Sequence, residues 1–183
     1  STGGPKALQS VVPRLPAELA APVLIVQHMP KGFTQSLAER LDSMSRIRVK
    51  EAAEGDVLEN GVVYISMGGK HMNVATKGGR ATITYTDEPP REGVKPCANY
   101  MYESLKTSSF AQIVCVVLTG MGADGTRGIV NLETSKKIHV IAQDEASSTV
   151  YGMPKAIAAT GLVNQVVSLD NVAQEIIMNV GVR

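Results

Sequence analysis

Three residues of this chain have the types and settings that acyl chemistry needs: Ser1, His28 and Asp124. Ser1 opens a Ser-Thr-Gly-Gly-Pro turn. His28 directly follows the apolar run Pro22–Gln27, and Asp124 lies in the glycine-rich turn Gly120–Gly125 behind the aliphatic run Ile113–Leu118. A serine hydroxyl is a poor nucleophile until an imidazole takes its proton, and that imidazole needs a carboxylate to hold its tautomer and stabilise the cation. The three can occur in any chain order. Ser1-Thr2-Gly3 also has the form of the second half of a nucleophile elbow, with backbone N–H groups beyond it that could serve an oxyanion. Each residue has an ordinary alternative as well: Ser1 as a turn residue, His28 as a hydrogen-bonded structural group, Asp124 as the cap of the helix that follows it.

The elements that must position them alternate. Ile113–Leu118 and Pro22–Gln27 read as strands buried on both faces. Helical spacing covers Pro5–Val12, Phe33–Met44 with Thr34 as a cap, Ala98–Thr107, Thr126–Lys137, Met153–Thr160 closed by Gly161, and Asn171–Val180 capped by Asp170. His139–Ala142 and Leu162–Val167 are further strands. Val62–Ser66, Met72–Thr76 and Ala81–Tyr85, separated by Gly68-Gly69 and Gly78-Gly79, read as hairpins. The expected fold is α/β: a doubly wound, mostly parallel sheet with helices on both faces and an antiparallel hairpin extension at one edge. In such sheets chemistry gathers beyond the carboxyl ends of the strands, where all three residues fall. The opening turn reads as a strand-to-helix connection whose strand precedes Ser1, so a fragment of a longer chain is expected.

With 183 residues, 44% hydrophobic and 19% charged, the chain fits one domain, 1–183, with a sizeable core. A net charge of +1 and 4% aromatics argue against nucleic acid as a partner, and no apolar run suits membrane insertion. Cys97 and Cys115 make no disulfide framework, which points to a reducing, cytoplasmic setting. His28, His71 and His139 are scattered, so no metal and no cofactor is expected; His71 reads as a surface turn residue and His139 as structural. A monomer is the expectation.

Several blocks together resemble the bacterial chemotaxis protein-glutamate methylesterase family. They are Ser1-Thr2-Gly3-Gly4, Gln27-His28-Met29-Pro30 with Gly32-Phe33-Thr34, Lys70-His71-Met72, Leu118-Thr119-Gly120-Met121-Gly122 with Asp124-Gly125, Asp144-Glu145-Ala146-Ser147, and Gly152-Met153-Pro154. The resemblance runs in order over nearly the whole chain. It implies Ser1 as nucleophile, His28 as general base and acid, and Asp124 as the acid that orients His28. It also implies Met121 lining the cleft with its N–H near the oxyanion, and Thr2 as a polar neighbour. The implied reaction is hydrolysis of γ-glutamyl methyl esters on the cytoplasmic helices of methyl-accepting chemoreceptors, with deamidation of receptor glutamines in some members. An upstream receiver domain in cis is implied too. One segment departs from the family pattern: Lys95-Pro96-Cys97-Ala98-Asn99 stands where the family usually has Arg-Pro-Ser-Val-Asp. It is expected to shape the cleft, and so to bear on substrate preference and deamidation rather than on the acyl transfer.

Rival readings rest on the same residues. Gly120–Gly125 satisfies G-x-G-x-x-G after a strand and before a helix, with Asp144 and Glu145 further on, as a dinucleotide-binding oxidoreductase would. Asp124 would then sit where a pyrophosphate binds and repel it. An N-terminal nucleophile hydrolase would use the free amine of Ser1 as base and leave His28 and Asp124 without a task. Lys31, Arg40, Lys70 and Arg91 are candidates for meeting an acidic receptor surface.

Overall fold

The computed structural model describes residues 3–183; Ser1 and Thr2 therefore lie outside the described residues. After α1 (Gly4–Val11) come β1 (Val23–Ile25), α2 (Phe33–Met44), β2 (Arg48–Glu51) and β3 (Val62–Ile65). A hairpin of β4 (His71–Lys77) and β5 (Arg80–Thr86) leads to α3 (Ala98–Ser104). The second half alternates: β6 (Gln112–Val117), α4 (Thr126–Glu133), β7 (Lys137–Gln143), α5 (Gly152–Ala158), β8 (Gln165–Val167) and α6 (Leu169–Val180).

Two parallel three-stranded sheets, ordered β1-β3-β2 and β6-β7-β8, carry the α/β architecture, and β4 and β5 pair antiparallel in a sheet of their own. Strand alternation sends side chains into two cores. Val63, Ile65 and Ile141 pack with Leu8, Leu37, Leu41, Val172 and Ile176, which belong to α1, α2 and α6. Val62, Tyr64, Val140 and Ala142 pack on the other face with Met72, Ile83, Met101, Ile129 and Ile157, from the hairpin, α3, α4 and α5. Helices on both faces make the fold doubly wound, as the alternation of elements predicts.

One strand is placed differently from the sequence expectation. Val62–Ile65 belongs to no hairpin; it lies between β1 and β2, parallel to both, with Val63 opposite Val23 and Val49. All four of its residues are buried, and a strand buried on both faces belongs inside a parallel sheet. β2, Arg-Val-Lys-Glu, is a sheet-edge strand whose charged residues hide it from a search for apolar runs. Smaller differences lie at helix ends. α4 stops at Glu133 and Lys137 already opens β7; Ser168, not Asp170, precedes α6; Thr34 lies inside α2, where its hydroxyl bonds Glu51.

Among the described residues, β1 pairs only with β3, and β6 only with β7. An apolar cavity of about 560 Å³ lies between these two strands, lined by Val23 and Ile25 of β1, Ile113 and Val116 of β6, Leu8 from one core and Tyr102 from the other. No helix among the described residues is long and apolar enough to cross a membrane.

α3 and α4 approach each other through Gly128. A Cβ there would lie 2.7 Å from Asn99 Cα and 2.8 Å from its carbonyl oxygen, both main-chain atoms that a rotamer change cannot move. Gly128→Ala gains helix propensity of about 1 kcal/mol, but the overpacking outweighs it, for a net loss of roughly 1–2 kcal/mol. Urea unfolding checks this; a variant as stable as wild type would mean that the two helices part freely.

Candidate active site

His28 leaves the carboxyl end of β1 in a loop pinned from two sides. Gly68 packs so closely on it that a Cβ would lie 2.4 Å from the carbonyl of Pro30, and the Gly68 N–H donates to Thr34 Oγ1 at 3.0 Å. Asp124 follows β6 and is 2% exposed. Ninety-six residues apart in sequence, the two side chains meet, with His28 Nε2 2.6 Å from Asp124 Oδ2.

The Asp124 carboxylate does more than hold His28. Ala98 N–H donates to Oδ2 at 2.8 Å, Asn99 N–H to Oδ1 at 3.1 Å, and the Cys97 thiol to Oδ1 at 3.2 Å. Asp124 is thus a helix cap, but for α3 across the fold rather than for the helix that follows it. Asn99 returns the favour: its Oδ1 accepts from Gly125 N–H at 3.0 Å and Gly128 N–H at 2.8 Å, at the start of α4. Two orphan donors at each helix start are satisfied by the other's neighbourhood. Burial pushes the Asp124 carboxyl up, but the hydrogen bonds from His28, Ala98 and Cys97 together hold it below the ordinary carboxylate value. It is therefore ionised, and Nε2 of His28 must be the protonated nitrogen that faces it. That leaves Nδ1 as the basic side of the ring.

Gly3 and Gly4, at the start of α1, pack against residues of this same edge. Gly3, at φ 79°, lies where a Cβ would meet Thr149 Oγ1 at 2.6 Å, and a Cβ on Gly4 would meet Gln27 Oε1 at 2.5 Å. Gln143, buried at the end of β7, accepts from Thr119 N–H at 2.8 Å and donates to the Ser147 carbonyl at 2.9 Å. Gly120 N–H donates to Val150 O and Met153 N–H to Gly120 O, which clasps the turn after β6 to the loop after β7. Met121 stands out of this turn, 70% exposed.

A family model described as CheB methylesterase matches residues 1–176. The chain belongs to the CheB methylesterase family. A protein-glutamate methylesterase/protein-glutamine glutaminase of Geobacillus kaustophilus is 45% identical over 181 residues, 99% of this chain and 52% of the relative. One from Pyrococcus abyssi is 46% identical over 97% of this chain and 48% of its own length. The crystal structure of the Thermotoga maritima CheB methylesterase catalytic domain superposes with a TM-score of 0.92 at 35% identity, covering 98% of this chain and 94% of that one. The chain spans about half the length of the curated relatives it matches.

Within this CheB methylesterase fold the sequence-derived site divides. His28 and Asp124 are together; Ser1 and Thr2 lie outside the described residues, beside the anchored Gly3. The segment that departs from the family pattern does not merely shape the cleft, since Cys97, Ala98 and Asn99 all bond Asp124 directly. Backbone N–H groups carry no signature in a sequence, which is why that role was not visible. His71 is no surface residue: it is fully buried, its Nε2 3.1 Å from the carbonyls of Glu88 and Pro89 and its ring edge-on to Tyr100. His139 is structural, bonded to Gln165. Arg91 is tied to Glu103 by two bonds of 2.7 and 2.9 Å and lies over Tyr100, whereas Lys31, Arg40 and Lys70 are exposed. The dinucleotide reading loses its cradle, because Asn99 occupies the N–H groups that a phosphate would need at α4.

Asp124 is more acidic folded than unfolded. Its contribution to stability is complete above the ordinary carboxylate value of about 4 and is lost as pH falls through the lower folded value. Asp124→Asn lacks this term and places an amide against N–H donors, so it loses about 2 kcal/mol at pH 7. Between pH 7 and 3 the urea midpoint of wild type falls more steeply than that of Asp124→Asn; parallel curves would show that the carboxylate has no net stabilising charge.

Proposed function

We propose that this domain is a serine hydrolase that removes methyl esters from glutamate side chains of chemoreceptors, and that it deamidates receptor glutamines by the same route. The observation that carries the reading is the buried His28–Asp124 pair at the carboxyl edge of the strands, with Gly3 and Gly4, the residues that follow Ser1 and Thr2 in sequence, packed close to Thr149 and Gln27. Relatives of this family carry both activities in their names.

In this mechanism Ser1 Oγ attacks the ester carbonyl carbon and gives its proton to Nδ1 of His28. The roles of the two ring nitrogens are exchanged relative to the serine-protease template, where Nδ1 faces the acid. Asp124 holds the ring by Nε2–H and stabilises the imidazolium. The tetrahedral oxyanion sits against backbone N–H groups, with those near Thr2 and Met121 as candidates. Collapse expels methoxide, which takes the proton from His28 and leaves as methanol. Water, deprotonated by His28, then attacks the acyl-enzyme, releasing glutamate and restoring Ser1. With an amide, ammonia leaves instead.

The groove between β1 and β6 bears on how Ser1 is delivered. We place the polypeptide leading into Ser1 there, as a further strand parallel to both, so that its carboxyl end presents Ser1 at the edge where His28 and Asp124 meet. The aliphatic lining supports this, as do the edges of β1 and β6 that face it, neither of which pairs with another strand among the described residues. A protein starting about ten residues before Ser1, enough for one long strand, is expected to resist urea markedly better than one starting at Ser1. Equal midpoints would remove the strand from the groove. A receiver domain further upstream and a cytoplasmic setting complete the reading.

Methanol release from methylated receptor tests the chemistry directly. In the full-length protein Ser1→Ala and His28→Ala each lower kcat by about 10⁴-fold or more, and Asp124→Asn by about 10²- to 10⁴-fold, with KM little changed. Full turnover by Ser1→Ala would end the proposal.

A further inference from the structure

The Asp124 cradle contains one side-chain donor besides His28. Cys97 precedes α3 in extended backbone, φ −128° and ψ 131°, and is fully buried. An ionised carboxylate only accepts hydrogen bonds, so the thiol must be the donor to Oδ1. Burial first, then the charge on Asp124, pushes this thiol up to about 12, so it keeps its proton at any pH where a histidine base operates.

A buried carboxylate divides its hydrogen-bonding strength among its donors. Oδ2 serves His28 and Ala98 N–H; Oδ1 serves Asn99 N–H and Cys97. A strong donor on Oδ1 would draw charge from Oδ2 and weaken its hold on the imidazolium. A thiol is a weak donor, and at 3.2 Å it draws little. The other ionisable groups around the pair do not compensate. Tyr102 on α3 is pushed well up by burial and then by Cys115 and Asp124, Cys115 on β6 is pushed up to about 12 by burial, and Arg91 is committed to Glu103.

We propose that Cys97 is a positioning residue of the hydrolytic centre: its thiol fixes the plane of the Asp124 carboxylate while leaving most of that carboxylate's hydrogen-bonding strength to His28. The proposal rests on the esterase reading above. It also gives a chemical meaning to the departure at this position, where the family pattern places serine, a stronger donor of nearly the same size.

The test compares full-length wild type, Cys97→Ser and Cys97→Ala. Two quantities are followed: the NMR titration of the His28 ring, and the acid limb of kcat/KM for methanol release. Cys97→Ser is expected to move the His28 midpoint below that of wild type, and Cys97→Ala to move it above. KM for the receptor stays constant. The same midpoint in wild type and Cys97→Ser, or a shift in the opposite order, overturns the proposal. That pair alone decides the matter if the alanine variant does not fold. Should wild type release no methanol while the NMR midpoints keep the expected order, the esterase reading fails and the role of the thiol stands.

Discussion

The structure turns on one buried negative charge. A carboxylate as enclosed as Asp124 survives ionised only where donors surround it, and the fold supplies four: an imidazole, a thiol and two main-chain N–H groups. Three come from the segment that starts α3, so the position of α3 relative to β6 is a condition of the charge existing at all. Asn99 and Gly128 secure that position from the other side. The geometry of the His28–Asp124 pair and the packing of the helices are therefore one arrangement.

The chemistry follows from that charge. A general base must be basic at the right nitrogen, and the nitrogen that remains basic is chosen by the bond the other one makes. Here the buried acid takes Nε2–H, which leaves Nδ1 as the nitrogen able to accept a proton. The turns after β6 and β7 are clasped through Gln143, Gly120 and Met153, so the edge of the sheet at the His28–Asp124 pair is held by hydrogen bonds rather than left as open loops.

Much of this was legible in the residues. Ile113–Leu118 and Pro22–Gln27 declared their strands by unbroken aliphatic runs, Phe33–Met44 announced its helix end to end, and His28 and Asp124 stood out by chemistry and placement. What stayed hidden has a common cause. β2 sets a single apolar residue, Val49, among three charged ones, because it is an edge strand. β3 looked like hairpin material because its flanking glycines spoke for turns, while its four buried residues spoke for the sheet interior. The cradle around Asp124 was hidden because half of its donors are main-chain N–H groups, and proximity across 25 or more residues is a property of packing. Asp124 as a local cap was the right kind of interaction with the wrong helix.

The mutual capping of α3 and α4 bears on how the domain can change over time. Drift in substrate range is easiest where a side chain touches nothing structural, and Met121, standing free at the rim, offers that latitude. The helix joint offers none: to alter Asn99, Gly128 or Asp124 singly is to disturb the partner helix as well. Evolution and protein engineers alike would have to move these three together, so change is more accessible in the outer turns than at the buried acid.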